Sequence, residues 1–342
     1  YVADYEHHVT AAVAFGGMNY FNITQDEEFF NNKGIEIFLE TARFWVSRLT
    51  YNKEEDRYEI HQVTGPDEWH EPVNNSIYTN YLARWNILKA LDVLADYRVN
   101  KPDVFKRATQ KIGLTDAETA TWGEKANKIF VRNKTGVIEQ FDGYFDLKNE
   151  VITKWDENGM PIRPEAFKGM SLRKTCILKQ ADIVMLMFLM QYEFDLETQK
   201  ANFEYYEQRT LHRSSLSPSI HGLMGLRVGD TKRAYSYLER SAYVDITNNQ
   251  GNTREGIHAA STGGTWQCIT LGYCGMSVNE DGMLCFTPKL PEKWTEVDYT
   301  ISRQGCKLRV NITKDDAVVI IEDGNAEVKY LVNGQERIAK HA

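Results

Sequence analysis

No stretch of this chain is apolar for long enough to cross a bilayer. Its best run, Ile183-Val184-Met185-Leu186-Met187-Phe188-Leu189-Met190, falls far short of the ~20 residues a spanning helix needs. Basic charge is scarce as well. Lys and Arg number 40 against 48 Asp and Glu, a net charge of −8, so no positive stripe exists to neutralise nucleic-acid phosphates. Cysteines number five, Cys176, Cys268, Cys274, Cys285 and Cys306. They are scattered and form no Cys-x-x-Cys pair, which argues for reduced thiols in a cytoplasmic protein. Catalytic signatures are also missing. There is no His-Glu-x-x-His, and adjacent His7 and His8 leave a helix on different faces, so a metal site has poor support. There is no Gly-x-Ser-x-Gly of a serine hydrolase and no Gly-Lys-Ser/Thr of a Walker A loop. An initiator Met and a signal-peptide apolar region are lacking too: the chain opens on Tyr1 directly into helical sequence, as the later part of a longer protein would.

What is present is a globular composition, 42% hydrophobic and 26% charged over 342 residues, with material for one large domain or two ordinary ones. The 18 Tyr and 7 Trp suit a protein that stacks flat faces against sugars. Apolar residues recur at helical spacing over 5–21, 26–49, 74–97, 176–192, 216–228, 230–243 and 265–276. In the first of these, Val9, Ala12, Val13, Phe15 and Tyr20 form the expected core face. A further helix over 115–131 opens on a capping-box pattern, Thr115 with Glu118. Residues 58–63 alternate like a short strand. Long helices joined by short turns predict an all-α array with antiparallel neighbours. The texture changes near Val278, where β-like runs at 283–286, 297–301, 308–312, 317–321 and 328–332 are separated by turns such as Asp323-Gly324 and Asn333-Gly334. They predict a small antiparallel β-domain in a supporting role, dividing the chain into 1–278 and 279–342.

Four clusters can carry chemistry. In Gly65-Pro66-Asp67-Glu68-Trp69-His70-Glu71, a stiff turn precedes a helix and holds three acids beside two aromatic rings. The plain alternative is a solvated acidic turn that caps the helix through Asn74 or Asn75. Leu178-Lys179-Gln180-Ala181-Asp182 either forms a polar turn into a buried helix or points Lys179 and Gln180 into a pocket. In the third cluster Arg209, His212, Arg213, Ser214 and Ser215 are dense in donors, while Ser215 or Ser217 can serve as a cap. The fourth runs from Gly256 to Trp266, where small residues expose backbone N–H groups ahead of a helix, a setting that binds anions or merely caps. An acid on a rigid loop with a separate anion-friendly loop is what glycosyl transfer to phosphate requires: the acid protonates the leaving oxygen and phosphate attacks the anomeric carbon from the opposite side.

Gly65-Pro66-Asp67-Glu68-Trp69-His70 with Asn74-Asn75 and Tyr78-Thr79-Asn80 resembles the signature of glycoside hydrolase family 65. So do Lys179-Gln180-Ala181-Asp182, Ser214-Ser215-Leu216-Ser217-Pro218-Ser219 with His221, and Gly256-Ile257-His258-Ala259-Ala260-Ser261 with Gly263-Gly264-Thr265-Trp266. The resemblance implies a mainly α fold, part of an (α/α)6 barrel followed by a small antiparallel β-sandwich. It also implies that an N-terminal β-sandwich and the early barrel helices lie outside this chain. By the same resemblance Glu68 is the general acid, a role that needs burial, or Asp67 and Glu71 nearby, to hold its proton near neutrality. Lys179 and Gln180, with Trp69 and His70, bind substrate, and His258, Ser261, Thr262 and Gly263 hold phosphate. The reaction implied is inverting phosphorolysis of an α-glucosyl disaccharide to β-glucose 1-phosphate and free sugar, with phosphate as co-substrate, no cofactor and no metal. The partners are the sugar, phosphate and the rest of the same chain, without nucleic acid or membrane, and dimerisation is common among relatives of this kind. The alternative reactions are hydrolysis, with Glu207 or Glu255 as the base about 6.5–9.5 Å from the acid, and sugar binding without turnover.

Overall fold

Residues 77–83 are buried without interruption, and they begin the helix around which the first half is built. The computed structural model describes residues 4–132, 134–157 and 159–342. Helix α1 is His8–Thr24, α2 is Ile35–Arg48, α3 is Ile77–Asn100 and α4 is Pro102–Ile112. Helix α5 is Asp182–Leu189, α6 is Leu196–Glu207, α7 is Ser217–Val228, α8 is Thr231–Ala242 and α9 is Ala259–Gln267. Helix α3 packs against α1, α2 and α5, and α7 packs against α5, α6, α8 and α9, so these two form the centres of the helical body. Helix α2 buries one apolar face, Ile35, Phe38, Leu39, Ala42 and Trp45.

Helix α1 does not bury the face expected of it. It buries Ala11, Ala14 and Met18, and leaves Val9, Val13 and Tyr20 about half exposed. Two alanines allow close approach to its neighbours where branched residues would hold α1 away. Helix α3 is capped by Ser76, whose hydroxyl accepts from Thr79 N–H, rather than by either asparagine. Asn74 and Asn75 instead accept the Gln62 and Ile60 N–H groups at 3.0 and 3.3 Å. Helix α4 was not evident from periodicity, although Pro102 starts it and Gly113, at φ 62°, ends it.

Elsewhere strand-like pairing competes with helix. The segment expected to be helical over 115–131 breaks into Asp116–Thr119 and Trp122–Asn127, and it ends there because Tyr58 exchanges backbone bonds of 2.8 Å with Lys128 and Phe130. The 176–192 helix shortens to α5 because Leu178 bonds to Arg209 and Leu211 at 2.8 and 2.9 Å. The strand expected over 58–63 ends at Glu59, since β2 (Arg57–Glu59) is the short arm of a hairpin with β1 (Thr50–Asn52). Helix α9 begins at Ala259, ahead of the expected start at 265, and continues as a π-helical segment over Cys268–Tyr273.

The C-terminal part is a two-sheet sandwich whose first strand, β3 (Ser277–Val278), lies just before the expected boundary. The other strands are β4 (Leu284–Phe286), β5 (Val297–Arg303), β6 (Cys306–Ile312), β7 (Ala317–Asp323), β8 (Lys329–Val332), β9 (Gln335–Ile338) and β10 (Lys340–His341). One sheet has the order β10-β7-β6-β5 and the other β3-β4-β8-β9. Pairing is antiparallel except for β10 with β7 and β4 with β8. Strand β6 alternates buried Cys306, Leu308, Val310 and Ile312 with outward residues, the period of a half-buried strand. Asn333-Gly334, both at positive φ, makes the tight β8–β9 turn that its sequence predicts. Arg303 joins the sandwich to the helices by donating to the Asn22 and Ile23 carbonyls at the end of α1, at 3.0 and 2.9 Å. The whole is mainly α with a small β-sandwich at its C-terminal end, as the motifs implied, although two strand pairs are parallel where an antiparallel sandwich was expected.

Candidate active site

The acidic loop is built as a clamp. Val63 and Val73 exchange backbone hydrogen bonds of 2.9 and 2.8 Å and close residues 64–72 into a ring of chain. Asp67 points beneath it, 1% exposed. Its Oδ1 accepts Lys179 N–H at 2.8 Å, its Oδ2 pairs with His70 Nδ1 at 2.6 Å, and its own N–H donates to Asp182 Oδ1 at 2.6 Å. His70 Nε2 lies 2.8 Å from the Thr175 carbonyl. A carbonyl only accepts, so Nε2 carries a proton, and the carboxylate on the other side favours a proton on Nδ1 as well. Burial works to lower the His70 pKa, but the charge and bonds of Asp67 prevail and raise it above the ordinary imidazole value. Asp182 is fully enclosed, and burial, with Asp67 adding, pushes its carboxyl well above the usual range. Gly65 is required here: a Cβ would fall 1.9 Å from Asp182 Oδ2.

The clamp turns the next residue outward. Glu68 has a side chain 46% exposed, and its Oε1 lies 2.7 Å from Lys179 Nζ. Gln180 donates to the Pro66 carbonyl, and Trp69 lies half-buried against the helical core. Glu68 opens onto a cavity of about 360 Å³. Gly65 and Pro66 line it from the loop, and Gln180, Ala181 and Met185 from the start of α5. Ser217, Ser219 and His221 line it from α7, Ala260, Gly264 and Gln267 from α9, Tyr78 from α3, and Glu6, His8, Val9 and Ala12 from the start of α1. Residues from all four sequence clusters meet there.

Not every expected residue reaches this wall. His70 is 2% exposed beneath the loop with both nitrogens engaged, so it braces the loop that carries Glu68 and does not reach the cavity wall. The early start of α9 turns Ala260, Gly264 and Gln267 toward the cavity. Ser261 is fully buried with its hydroxyl against Ser241. His258 is held by Asp245 through its N–H at 2.8 Å and its Nδ1 at 2.5 Å. Thr262 and Gly263 lie on the exposed side of the helix. Close contact between α9 and α7 depends on Gly264, where a Cβ would meet Ser219 Oγ at 2.4 Å. Neither proposed hydrolytic base lines the cavity. Glu207 pairs with Arg233 at 3.0 Å and accepts from Tyr237 at 2.8 Å, while Glu255 sits on an exposed 3₁₀ turn. Arg209 stacks on Tyr205, 3.7 Å from the ring centroid, and His212 is buried between Ser217 and Tyr237. Ser217 faces the cavity and does not cap α7, whose N-cap is Leu216.

The sequence reading missed Glu6 and His8. Burial raises the Glu6 carboxyl, Glu68 and Glu71 add to the rise, and Lys179 opposes it. His8 Nδ1 lies 2.8 Å from the Thr64 carbonyl, a contact across 56 residues that no local pattern announces. Their polar run ahead of an apolar helix was the only available signal.

The profile of the glycosyl hydrolase family 65 central catalytic domain matches residues 1–267, and that of the family's C-terminal domain matches 276–338. A kojibiose phosphorylase of Caldanaerobacter subterraneus subsp. tengcongensis is 50% identical over 98% of this chain and 44% of its own length. An alpha,alpha-trehalose phosphorylase of Thermoanaerobacter brockii is 31% identical over 95% of this chain and 42% of its own. A solved structure described as a candidate kojibiose phosphorylase from the human microbiome superposes with a TM-score of 0.81 at 30% identity, covering 96% of this chain and 45% of that one. The chain thus spans less than half the length of the relatives it matches. With both domain profiles matched in order and the motifs gathered at one cavity, the chain belongs to glycosyl hydrolase family 65.

Proposed function

We propose that the protein at its full natural length is an inverting α-glucoside phosphorylase that converts a disaccharide and phosphate to β-glucose 1-phosphate and free sugar. The observation that carries this reading is the placement of Glu68 at the mouth of a cavity walled by the other three motif clusters. Glu68 protonates the glycosidic oxygen as the bond to the anomeric carbon breaks, and phosphate enters from the opposite face. To hold that proton Glu68 must first part from Lys179, whose ammonium can turn to the hydroxyls of an arriving sugar. Gln180 is held by the Pro66 carbonyl beside it, and the first turn of α9 offers its N-terminal end to phosphate through Ala260. The reaction asks for no organic cofactor or metal.

Relatives named for kojibiose stand at 50% and 48% identity, against 31% and 32% for relatives named for trehalose and maltose. Kojibiose is therefore the first substrate to test. A cytoplasmic setting fits the five unpaired cysteines, and a homodimer is the expected assembly. Among the described residues no helix is long and apolar enough to cross a membrane.

The full-length enzyme should be incubated with α-linked glucobioses with and without phosphate, and the anomer of the product followed by NMR. Glucose release indifferent to phosphate, with no sugar phosphate formed, refutes the phosphorylase and favours the hydrolase. Glu68→Gln should lower turnover by about 10²–10⁴-fold while sparing ligand binding. Unchanged turnover would remove Glu68 from the acid's role.

A further inference from the structure

The first residue of α1 brings an imidazole to the cavity at the end where Glu68 stands, and its chemistry is set by its backbone partner. His8 Nδ1 lies 2.8 Å from the Thr64 carbonyl oxygen, which can only accept, so Nδ1 carries the hydrogen. In the neutral ring Nε2 is then a bare lone pair. No described residue bonds to Nε2, and His8 lines the cavity with Glu6, Glu68 and Gln180. The ring is fixed in plane as well as in tautomer. It stands edge-on to Tyr78 with centroids 6.0 Å apart, and Tyr78 is itself 1% exposed in the core. The Thr64 bond lies at the neck of the acidic loop, where Thr64 N–H also donates to the Tyr5 carbonyl at 2.9 Å, so the position of His8 is tied to that of Glu68.

We propose that His8 is a sugar-recognition residue whose Nε2 accepts a hydrogen bond from one hydroxyl of the bound saccharide. The inference rests on the reading that this cavity takes an α-glucosyl sugar. Burial lowers the His8 pKa, with the Thr64 bond and the Glu68 charge opposing, which favours the neutral ring whose Nε2 accepts. An acceptor nitrogen beside two carboxylates suits a neutral polyol, whose hydroxyls donate, and repels an oxyanion. It therefore divides the cavity: sugar lies toward Glu6, His8 and Glu68, and phosphate toward α9.

Two substitutions separate recognition from support. Asn places its amide nitrogen where His carries Nδ1, so His8→Asn can keep the Thr64 bond while deleting the acceptor. Gln reaches the position of Nε2, so His8→Gln can keep the acceptor while losing the Thr64 bond. Dissociation constants for glucose and its 2-, 3-, 4- and 6-deoxy analogues should be measured by calorimetry on the full-length enzyme and both variants. The parent should bind one deoxy analogue about 3–10-fold more weakly than glucose through this contact. His8→Asn should bind glucose more weakly by that same factor and lose discrimination against that analogue alone. His8→Gln should retain the discrimination and be the less heat-stable variant. If the parent binds sugars and His8→Asn keeps the full discrimination pattern, or weakens all five ligands equally, the recognition role is overturned while the sugar-cavity reading stands. If the parent binds neither glucose nor any analogue, the sugar-cavity reading fails and takes the inference with it.

Discussion

Replacing His70 with Phe keeps an aromatic ring beside Phe141 and Tyr144, whose centroids lie 5.3 and 6.2 Å from that of His70, but deletes both ring nitrogens. Asp67 Oδ2 then loses its partner in a site where the side chain is 1% exposed, and the Thr175 carbonyl loses its donor. Breaking a buried ion pair from one side costs about 3–5 kcal/mol. The lower end applies here, because Asp67 Oδ1 keeps the Lys179 N–H. The loss should also depend on pH, with a definite sign. The folded-state pKa of His70 is raised above the unfolded value of about 6.5, so its stabilisation is fully present below that pH and is lost as pH rises through the raised value. Urea unfolding of parent and His70→Phe should therefore differ by about 3 kcal/mol near pH 6, and the gap should narrow toward pH 9. Because the clamp aims Glu68, kcat should fall by around 10²-fold with little change in KM. A stability gap under ~1 kcal/mol, constant over this range, would refute the clamp. A rise in KM alone, with stability untouched, would return His70 to the sugar-binding role its sequence position first implied.

Gly264→Ala should cost roughly 1–3 kcal/mol by thermal unfolding, since its Cβ would lie 2.4 Å from Ser219 Oγ and 2.6 Å from Ser219 Cβ. Adding Ser219→Gly should recover most of that loss relative to Ser219→Gly alone, and additive losses would show that this contact is not the cause. His221 is fully enclosed, and burial lowers its pKa from 6.5 to about 4. Its contribution is present above about pH 6.5 and lost as pH falls through about 4, on the order of 3 kcal/mol in all. Removing the imidazole, as in His221→Leu, should flatten the acid limb of a stability profile, and acid unfolding along the parent's curve would contradict the assignment.

Much of this organisation was legible along the chain, because it depends on local spacing. Helical periodicity located α2, α3, α7 and α8, alternation and turn pairs located the sandwich, and the Gly65–Glu71 loop was recognisable as a rigid acidic turn. Periodicity states which residues share a helical face but not which face is buried. Val9 and Val13, expected in the core, are about half exposed in this portion of the chain, with Val9 on the cavity wall. The start of α9 was misplaced by a few residues, and a helix rotates its side chains by about 100° per residue. Ser261, expected in the phosphate site, thus turns into the core while Gly264 faces the cavity.

By itself the sequence determined a helical body followed by a small β-domain, and it marked the acid loop and three further polar clusters, since each of these is written in residues close together in the chain; that the clusters belong together came from their resemblance to a family. Tertiary structure alone decided which acid faces outward and what faces it. Lys179 reaches Glu68 across 111 residues, Thr175 receives His70 across 105, and His8 meets Thr64 across 56. Contacts of that separation arise from how α1, α3, α5 and α7 pack, and packing is settled by the shape and volume of whole helical faces rather than by the pattern within one segment.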